Sequence, residues 1–383
     1  MNRVFVVSGL AAALFLSSPA LAQRAAPGLD DNVAQIPQTS PGSPWSFIGF
    51  SMTTPLDQQW FVANSTPRGG TMGRNLSAAP PNTAVLVIVS ELLDKPIESD
   101  TELLALAQDR HARIGERWVV SRHDEAIVRH AGTRCARHTL AAREPEDKSP
   151  RKDAAKANVT RPYLHVSGLS CIHPTEPRLL VEIGLSERSP QNAMTPAIAR
   201  DAQLATESLA FQRYSEQALQ KAADLARVGE VRDAEALLKP YIDADAAWAR
   251  YFLAQILQRA QPAPPSAGPR LKALLEPAAD RGLADAQWML GTLLLRGADG
   301  VPKDPPLAEA LLRRAAERGN PGAAFQLGIA LLSPNDGLSP NRREAVVWIS
   351  RAAARGQKEA QELLQTARDA PETRPPSPRP AGK

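Results

Sequence analysis

Two patterns of apolar residues divide the chain at about residue 190. From 45 to 190, short apolar runs alternate with turn residues, which predicts strands at 46–52, 59–63, 84–90, 126–131, 133–140, 163–172 and 179–186. One stretch, 101–114, predicts a helix, because Ser99 and Glu102 open it at the spacing of a capping box. We therefore expect the region 45–190 to be an α+β domain, a mostly antiparallel sheet with one main helix.

Beyond residue 190 the apolar residues recur at helical spacing. The segment 196–229 predicts one long linking helix, and an array of repeats is predicted over 230–366. Gly282, Gly319 and Gly356 recur at a fixed step of 37 residues. The same register contains the other repeat-defining positions, which are Ala286, Leu290, Gly291, Ala323, Leu327 and Gly328. A period of this size indicates stacked supersecondary units, here pairs of helices.

A single helix pair cannot bury its own apolar side, so the units are predicted to stack into an all-α solenoid. Gly291 falls inside a predicted helix, where glycine costs about 1 kcal/mol relative to alanine. A close approach of two helix backbones would compensate for that cost. Because contacts in such arrays join neighbouring units, we expect the array to fold with nothing from the sheet domain beyond an end cap.

The repeat region resembles the Sel-one-like repeat (SLR) family, whose members are relatives of the tetratricopeptide repeats. The resemblance rests on three motifs and is most specific from 267 to 364. The motifs are Ala286-x-x-x-Leu290-Gly291, Gly297-x-x-Gly300-Val301-x-x-Asp304 and Ala315-Ala316-x-x-Gly319. The resemblance implies an α-solenoid adaptor that binds other proteins and has no catalytic residues of its own. The N-terminal domain resembles no family that we recognise.

The first 22 residues have the pattern of a secretory signal peptide. Arg3 precedes an apolar run from 4 to 16, and Ala20 and Ala22 form a small-x-small cleavage pattern. A membrane anchor is the weaker alternative, because the run is too short to span a bilayer. We therefore expect cleavage after Ala22, a periplasmic or secreted protein, and no membrane span in the mature chain. The Pro-rich segments 23–44 and 367–383 are predicted to be disordered.

Composition supports two folded parts and says little about partners. All six histidines and both cysteines fall between residues 111 and 173, and the repeat region contains neither type. A formal net charge of +4 over 383 residues does not indicate any class of partner. Nucleic acid is not expected as a partner outside the cytoplasm.

The two cysteines of an exported chain are consistent with a disulfide or with a metal site. Cys135-x-x-His138 and Cys171-x-His173 resemble ligand pairs. On a strand, however, Cys135 and His138 point to opposite faces, whereas Cys171 and His173 share a face with His165. We therefore favour a Cys135–Cys171 disulfide, predict no metal, and leave a weaker metal site open.

Arginine and histidine are concentrated between residues 110 and 143, where eight arginines and four histidines face only Glu116, Asp124 and Glu125. One interpretation is a cationic face for an anionic polymer, with Arg129, Arg134 and Arg137 as its binding residues. The other is that alternate residues of a half-exposed sheet are simply solvated.

No familiar catalytic pattern occurs in the sequence, so we predict no enzyme and no cofactor. Tyr251, Trp288 and Phe325 occupy one column of the repeat and are predicted to be core, while Arg250 and Gln287 beside them are predicted to contact the partner. The leading interpretation is an exported interaction scaffold or regulator whose solenoid holds an unidentified protein. An envelope polymer or anion binder and a cryptic hydrolase or metal-binding protein are the alternatives.

Overall fold

The computed structural model describes residues 40–57, 59–75, 83–145, 162–260, 267–297, 300–333 and 337–369. The predicted signal peptide, most of the Pro-rich segment 23–44 and the tail from 370 onward lie outside these ranges. The end of the Pro-rich segment is ordered, because Ser43 bonds to Thr54 through its backbone N–H at 3.0 Å and the first strand begins at Pro44. None of the helices in the described ranges has the length and apolarity that a bilayer crossing requires.

The N-terminal domain is built on a seven-stranded, fully antiparallel sheet. Its strands are β3 (Phe61–Thr66), β4 (Gly69–Asn75), β5 (Thr83–Leu92), β6 (Val119–His130), β7 (Thr133–Arg143), β8 (Tyr163–His173) and β9 (Glu176–Ser189). They lie in the order β3-β4-β5-β9-β8-β7-β6. The predicted α+β class is confirmed, and each of the five predicted strands from residue 84 onward overlaps an observed strand.

A second, three-stranded sheet corrects the strand predicted at 46–52. That segment is a hairpin of β1 (Pro44–Ser46) and β2 (Phe50–Thr53), which reverses at Gly49, a residue with φ +88°. β2 also pairs with β10 (Ala210–Phe211), far along the chain. The turn at Gly49 therefore divides the apolar run into two strands, although its alternating pattern predicted one.

One face of the large sheet is covered by helix α1 (Asp100–Ala112). The predicted capping box is present, since Ser99 accepts from the Glu102 N–H and the Glu102 carboxylate accepts from the Ser99 N–H. Leu103 and Ala107 pack from this helix onto β7, β8 and β9. A short 3-10 helix, Arg113–Glu116, follows.

The predicted linking helix is wrong as a single element. It is divided into α2 (Pro196–Glu207) and α3 (Glu216–Arg227), and β10 lies between them. The break occurs because the chain returns to the small sheet, where the Thr53 N–H donates to the Ser208 Oγ at 2.9 Å. The linker is therefore part of the N-terminal fold.

Within the described ranges from residue 231 to 369, eight helices form the predicted solenoid. They are α4 (Val231–Asp243), α5 (Ala247–Arg259), α6 (Ala267–Asp280), α7 (Ala284–Arg296), α8 (Pro305–Glu317), α9 (Pro321–Leu332), α10 (Arg342–Ala354) and α11 (Lys358–Asp369). A Cβ added to Gly291 would lie 2.9 Å from Leu312 Cγ, and one added to Gly328 would lie 2.6 Å from Ile349 Cγ1. The glycines inside helices thus permit the close packing that the sequence predicts.

The solenoid and the sheet domain share one continuous apolar core, which includes Trp45 and Ile183 as well as Trp248 and Trp348. Hydrogen bonds also join the two parts. The Arg318 guanidinium donates to the Pro44 carbonyl and that of Arg355 to the Val62 carbonyl, both at 2.7 Å. The array therefore contacts the sheet domain along its length, and not only at an end cap as the repeat pattern led us to expect. That it folds alone stays a prediction.

Candidate functional site

The aromatic stripe, which consists of Tyr251, Trp288 and Phe325, lies on α5, α7 and α9. The sequence predicted these rings as core, but each is only half-buried and packs on the edge of the core. A Cβ added to Gly322 on α9 would lie 2.7 Å from the Trp288 ring, so neighbouring helices contribute adjacent parts of this surface. The stripe therefore partly faces solvent.

Polar groups accompany the rings. Gln255 donates to the Tyr251 hydroxyl at 2.8 Å, and the Thr292 hydroxyl donates to the Gln326 amide oxygen at 2.8 Å. The indole Nε1 of Trp288 is buried and has no hydrogen-bond partner among the described residues. The accessible part of the face thus combines apolar area with the hydrogen-bonding groups of Gln255 and Gln326.

At the base of the stripe, burial favours the neutral forms of two ionisable side chains, Asp285 and Tyr251. Asn320 donates to the Asp285 carboxylate at 2.6 Å, yet burial raises the pKa of Asp285 above its usual range. Burial, and then the nearby Asp285 carboxylate, raise the pKa of the Tyr251 hydroxyl. The Tyr251 hydroxyl is therefore neutral and available as a hydrogen-bonding group at physiological pH.

The two predicted contact residues beside the stripe have different surroundings. Gln287 is 2% exposed, and its amide bonds internally to the Ala279 carbonyl at 2.9 Å and to the Arg318 guanidinium at 3.2 Å. A partner cannot reach Gln287 in this arrangement, so the prediction is wrong for this residue. Arg250 is half-buried and donates to Asp245 at 3.2 Å, and its role in binding stays a prediction.

The three arginines predicted as a cationic face do not share one. Arg129 lies directly opposite Arg134 in the β6–β7 register, so these two side chains are on the same face. Arg137 is three positions beyond Arg134 on the same strand and therefore points to the other face. Arg134 is also engaged, because it donates to the carbonyls of Ile97 and Glu98 at 2.8 and 2.7 Å.

The cysteines lie side by side in the sheet. Cys135 and Cys171 are direct partners in the β7–β8 register, and their sulfurs are bonded at 2.09 Å. His173, a candidate ligand in the sequence, instead lies 2.9 Å through its Nε2 from the carbonyl oxygens of Gly49 and Gln212. The pair and its neighbouring histidine therefore connect strands rather than form a metal site.

A histidine cluster that we did not predict lies between α1 and the strands beneath it. His111 Nδ1 and His123 Nε2 contact the same Glu125 oxygen, at 2.6 and 2.9 Å. The ring of His138 lies 4.1 Å from that of His111, centroid to centroid. Burial lowers the pKa of His111, and it lowers the pKa of His138 well below its usual value. His123-x-Glu125 on one face of a strand was the available sequence signal.

Comparisons with known proteins agree on the repeats. A model of the Sel1 repeat matches residues 284–320 and 321–357. A solved Sel1 repeat protein from Oxalobacter formigenes is 30% identical over 34% of this chain and 95% of that chain, with a TM-score of 0.30. No curated protein matches the chain.

Two other solved structures are more distant. A protective antigen of uropathogenic Escherichia coli with an SLR fold is 21% identical, with a TM-score of 0.36, over 39% of this chain; the match spans only 32% of the antigen. A putative Sel1 repeat protein from Klebsiella pneumoniae subsp. pneumoniae is 20% identical over 39% of this chain and 76% of that chain, with a TM-score of 0.25. With the 37-residue register and the matched family model, the 30% identity across nearly all of the Oxalobacter protein leads to one conclusion: the chain belongs to the Sel1 repeat family.

Proposed function

We propose that this protein is an exported scaffold or regulator that binds a protein partner through the aromatic stripe of its solenoid. The observation that carries the proposal is the partial exposure of the Tyr251, Trp288 and Phe325 rings, which pack on the edge of the core. The neighbouring repeat positions Ala286 and Ala323 are fully buried. The solenoid therefore buries apolar residues completely at other positions of the same repeat, and the exposure of the rings is specific to the stripe. Clustered apolar area that remains accessible is typical of interaction surfaces.

The contact between the two domains supports this choice of face. The helix junctions at Gly282 and Gly319 are covered by Pro44 of β1 and by Val62 and Ser65 of β3. A second protein cannot dock there without displacing the sheet domain. The stripe lies on the helices themselves and is left open.

The chemistry of the face favours a peptide segment that carries apolar side chains. Ile329 and Leu332 on α9 are 37% and 42% exposed, and lie one and two turns beyond Phe325. Side-chain amides at Gln255 and Gln326 suit main-chain groups of a peptide. Docking of this kind depends on buried apolar anchors more than on charge at the rim.

Export is part of the proposal. The signal-peptide pattern of the first 22 residues supports it, and so does the Cys135–Cys171 bond, since disulfides persist in oxidising compartments. The proposal includes no enzymatic activity, no cofactor bound to the solenoid and no nucleic-acid partner.

Site-specific crosslinking in the producing cell tests the docking face. A photoreactive amino acid replaces Ile329 on the stripe or, as the matched control, Val228, which is 71% exposed at the end of α3. We expect one protein to crosslink at 329 and not at 228. The protein identified in this way is then purified and titrated against the full chain.

Charge substitutions complete the test. Ile329→Glu or Leu332→Glu should weaken binding of that partner at least about 10-fold, as expected when an apolar anchor is lost, and Val228→Glu should not. Arg129→Glu with Arg137→Glu should leave binding unchanged. Loss of binding in the arginine variant alone would instead favour the anion-binding alternative and refute docking on the stripe.

A further inference from the structure

The histidine cluster gathers metal-binding groups from two elements. His111 comes from the last turn of α1, and His123 and Glu125 come from β6 beneath it. Each of the three side chains offers one donor atom, and these atoms lie within 4.8 Å of one another. The His111 and Glu125 side chains are 2% and 4% exposed, whereas His123 is 30% exposed. The group is therefore a nearly buried site with one open side.

Several buried polar atoms of this cluster have no hydrogen-bond partner among the described residues. Both imidazoles contact the same oxygen of Glu125, while its other oxygen is buried without a partner among the described residues. His111 Nε2 and both ring nitrogens of His138 are likewise buried and unpaired. Unpaired polar atoms in buried positions are rare, and a site for an ion is one of their ordinary explanations.

Among the described residues, no lysine or arginine forms an ion pair with the buried Glu125 carboxylate. Arg110, next to His111 in sequence, is directed elsewhere, because it forms ion pairs with Glu182 and with Glu91. A buried anion without a paired cation is costly. A divalent ion between the imidazoles and the carboxylate would supply the missing charge.

We propose that His111, His123 and Glu125 bind a divalent first-row transition metal ion, with Zn²⁺ as its representative. Two imidazole nitrogens and one carboxylate oxygen are a ligand set that zinc takes in proteins, with solvent in the fourth position. Ligand atoms around tetrahedral zinc stand about 3.3 Å apart, so donors within 4.8 Å converge by small side-chain movements. His138 packs against the His111 ring and holds it in place.

The site would tie α1 to β6, one of the two edge strands of the large sheet in the strand order given above. Both cysteines are bonded to each other, so the ion depends on nitrogen and oxygen ligands only. This inference uses no part of the solenoid and does not depend on the proposed docking function.

Zinc binding to the full chain, free of any affinity tag, tests the proposal. Titration against a chromogenic chelator should give one Zn²⁺ per chain, and excess Mg²⁺ or Ca²⁺ should not compete, because these ions prefer oxygen ligands. Zinc should also raise the melting temperature, since it binds the native state. X-ray absorption at the zinc edge should show nitrogen and oxygen ligands at about 2.0–2.1 Å with the scattering of two imidazoles.

His123→Gln is the decisive variant, because its exposed side chain can be changed without disturbing the fold. Affinity should fall at least about 10-fold, the minimum seen when even an outer-shell partner is lost. His130→Gln is the matched control on the same strand, because His130 Nε2 bonds to the Leu209 carbonyl at 2.8 Å, outside the cluster. Circular dichroism verifies that both variants fold. Absence of stoichiometric zinc in the wild type, or equal affinity in wild type and His123→Gln, would overturn the proposal.

Discussion

Gly282 lies directly against the main-chain carbonyl of Pro44: a Cβ placed on Gly282 would stand 2.0 Å from that oxygen. The glycine ends α6 with φ +79°, and it is one of three equivalent glycines at a spacing of 37 residues. A Cβ placed on Gly319 would stand 3.1 Å from the side chains of Val62 and Ser65, whereas one placed on Gly356 would meet nothing within 4 Å. One repeat position therefore serves as a turn in every unit and as a domain contact in two of them.

Alanine substitution at these three positions separates the two roles. Gly356→Ala should lower the free energy of unfolding by about 1 kcal/mol, the cost of a left-handed conformation with a Cβ. Gly282→Ala should cost about 3 to 5 kcal/mol, because the strand β1 must also move away. Gly319→Ala should fall between them, since side chains can yield where a backbone oxygen cannot.

Thermal unfolding of the three full-length variants measures this order. All three residues have φ between +79° and +90°, so the backbone strain is matched and the difference reports the domain contact. Equal losses in Gly282→Ala and Gly356→Ala would show that the contact with β1 does not contribute to stability.

The Cys135–Cys171 bond is expected to stabilise the sheet domain. The two residues are separated by 36 positions, and closing a loop of that size is worth about 4 kcal/mol in the chain-entropy account. The double substitution Cys135→Ala with Cys171→Ala should lose most of that free energy.

Alkylation followed by intact mass checks the bond itself. In denaturant without reductant neither cysteine should be labelled, and with reductant both should be. Two labels on the unreduced protein in denaturant would mean that the thiols are free and would contradict the disulfide.

His173 should make the protein less stable in mild acid. Its Nε2–H donates to the Gly49 and Gln212 carbonyls, and its Nδ1 accepts from the Thr175 N–H at 3.3 Å. Burial lowers the pKa of His173 in the native state, against a smaller opposing effect of those carbonyls and Glu176. The unfolded chain has a pKa of about 6.5 at this residue, so it binds a proton first as the pH falls.

The stabilisation is therefore complete above about pH 6.5 and declines as the pH drops toward the native pKa. His173→Gln keeps an amide donor and does not titrate. Wild type should lose more stability between pH 7 and pH 5 than this variant, as measured by urea midpoints at both values. His111 and His138 are present in both proteins, so their contributions cancel. Identical losses would show that His173 does not titrate on unfolding.

The repeat pattern predicted the solenoid well, because its small residues have a single packing explanation. Gly291 and Gly328 are needed wherever helices approach closely, and both do so. The same pattern could not tell which side of a helix faces solvent. Gln287 and Trp288 are adjacent, and the buried contact of Gln287 with Arg318 depends on the sheet domain, which lies far away in the sequence.

The sheet was predicted less completely, for identifiable reasons. β4 contains Gly69, Gly70 and Gly73 and has little of the usual strand composition. Gly70 is nevertheless required there, because a Cβ at this position would stand 2.5 Å from the Trp45 ring. The histidine cluster was missed because its members come from separate elements that only the tertiary fold brings together. The His123-x-Glu125 motif indicates a candidate ligand pair only when His111 on α1 is known to lie above it.

The return of the chain to β2 sets the order in which the protein can be completed during synthesis. β2 meets β10 only after residue 211 has been made, and the Val62 carbonyl meets Arg355 only 293 residues after its own position. Until then Trp45 and Phe47, which end up 1% exposed, have no solenoid to cover them. Contacts of such long range form slowly. The apolar side chains of the N-terminal strands that face the solenoid can therefore be covered only after the repeats have been synthesised.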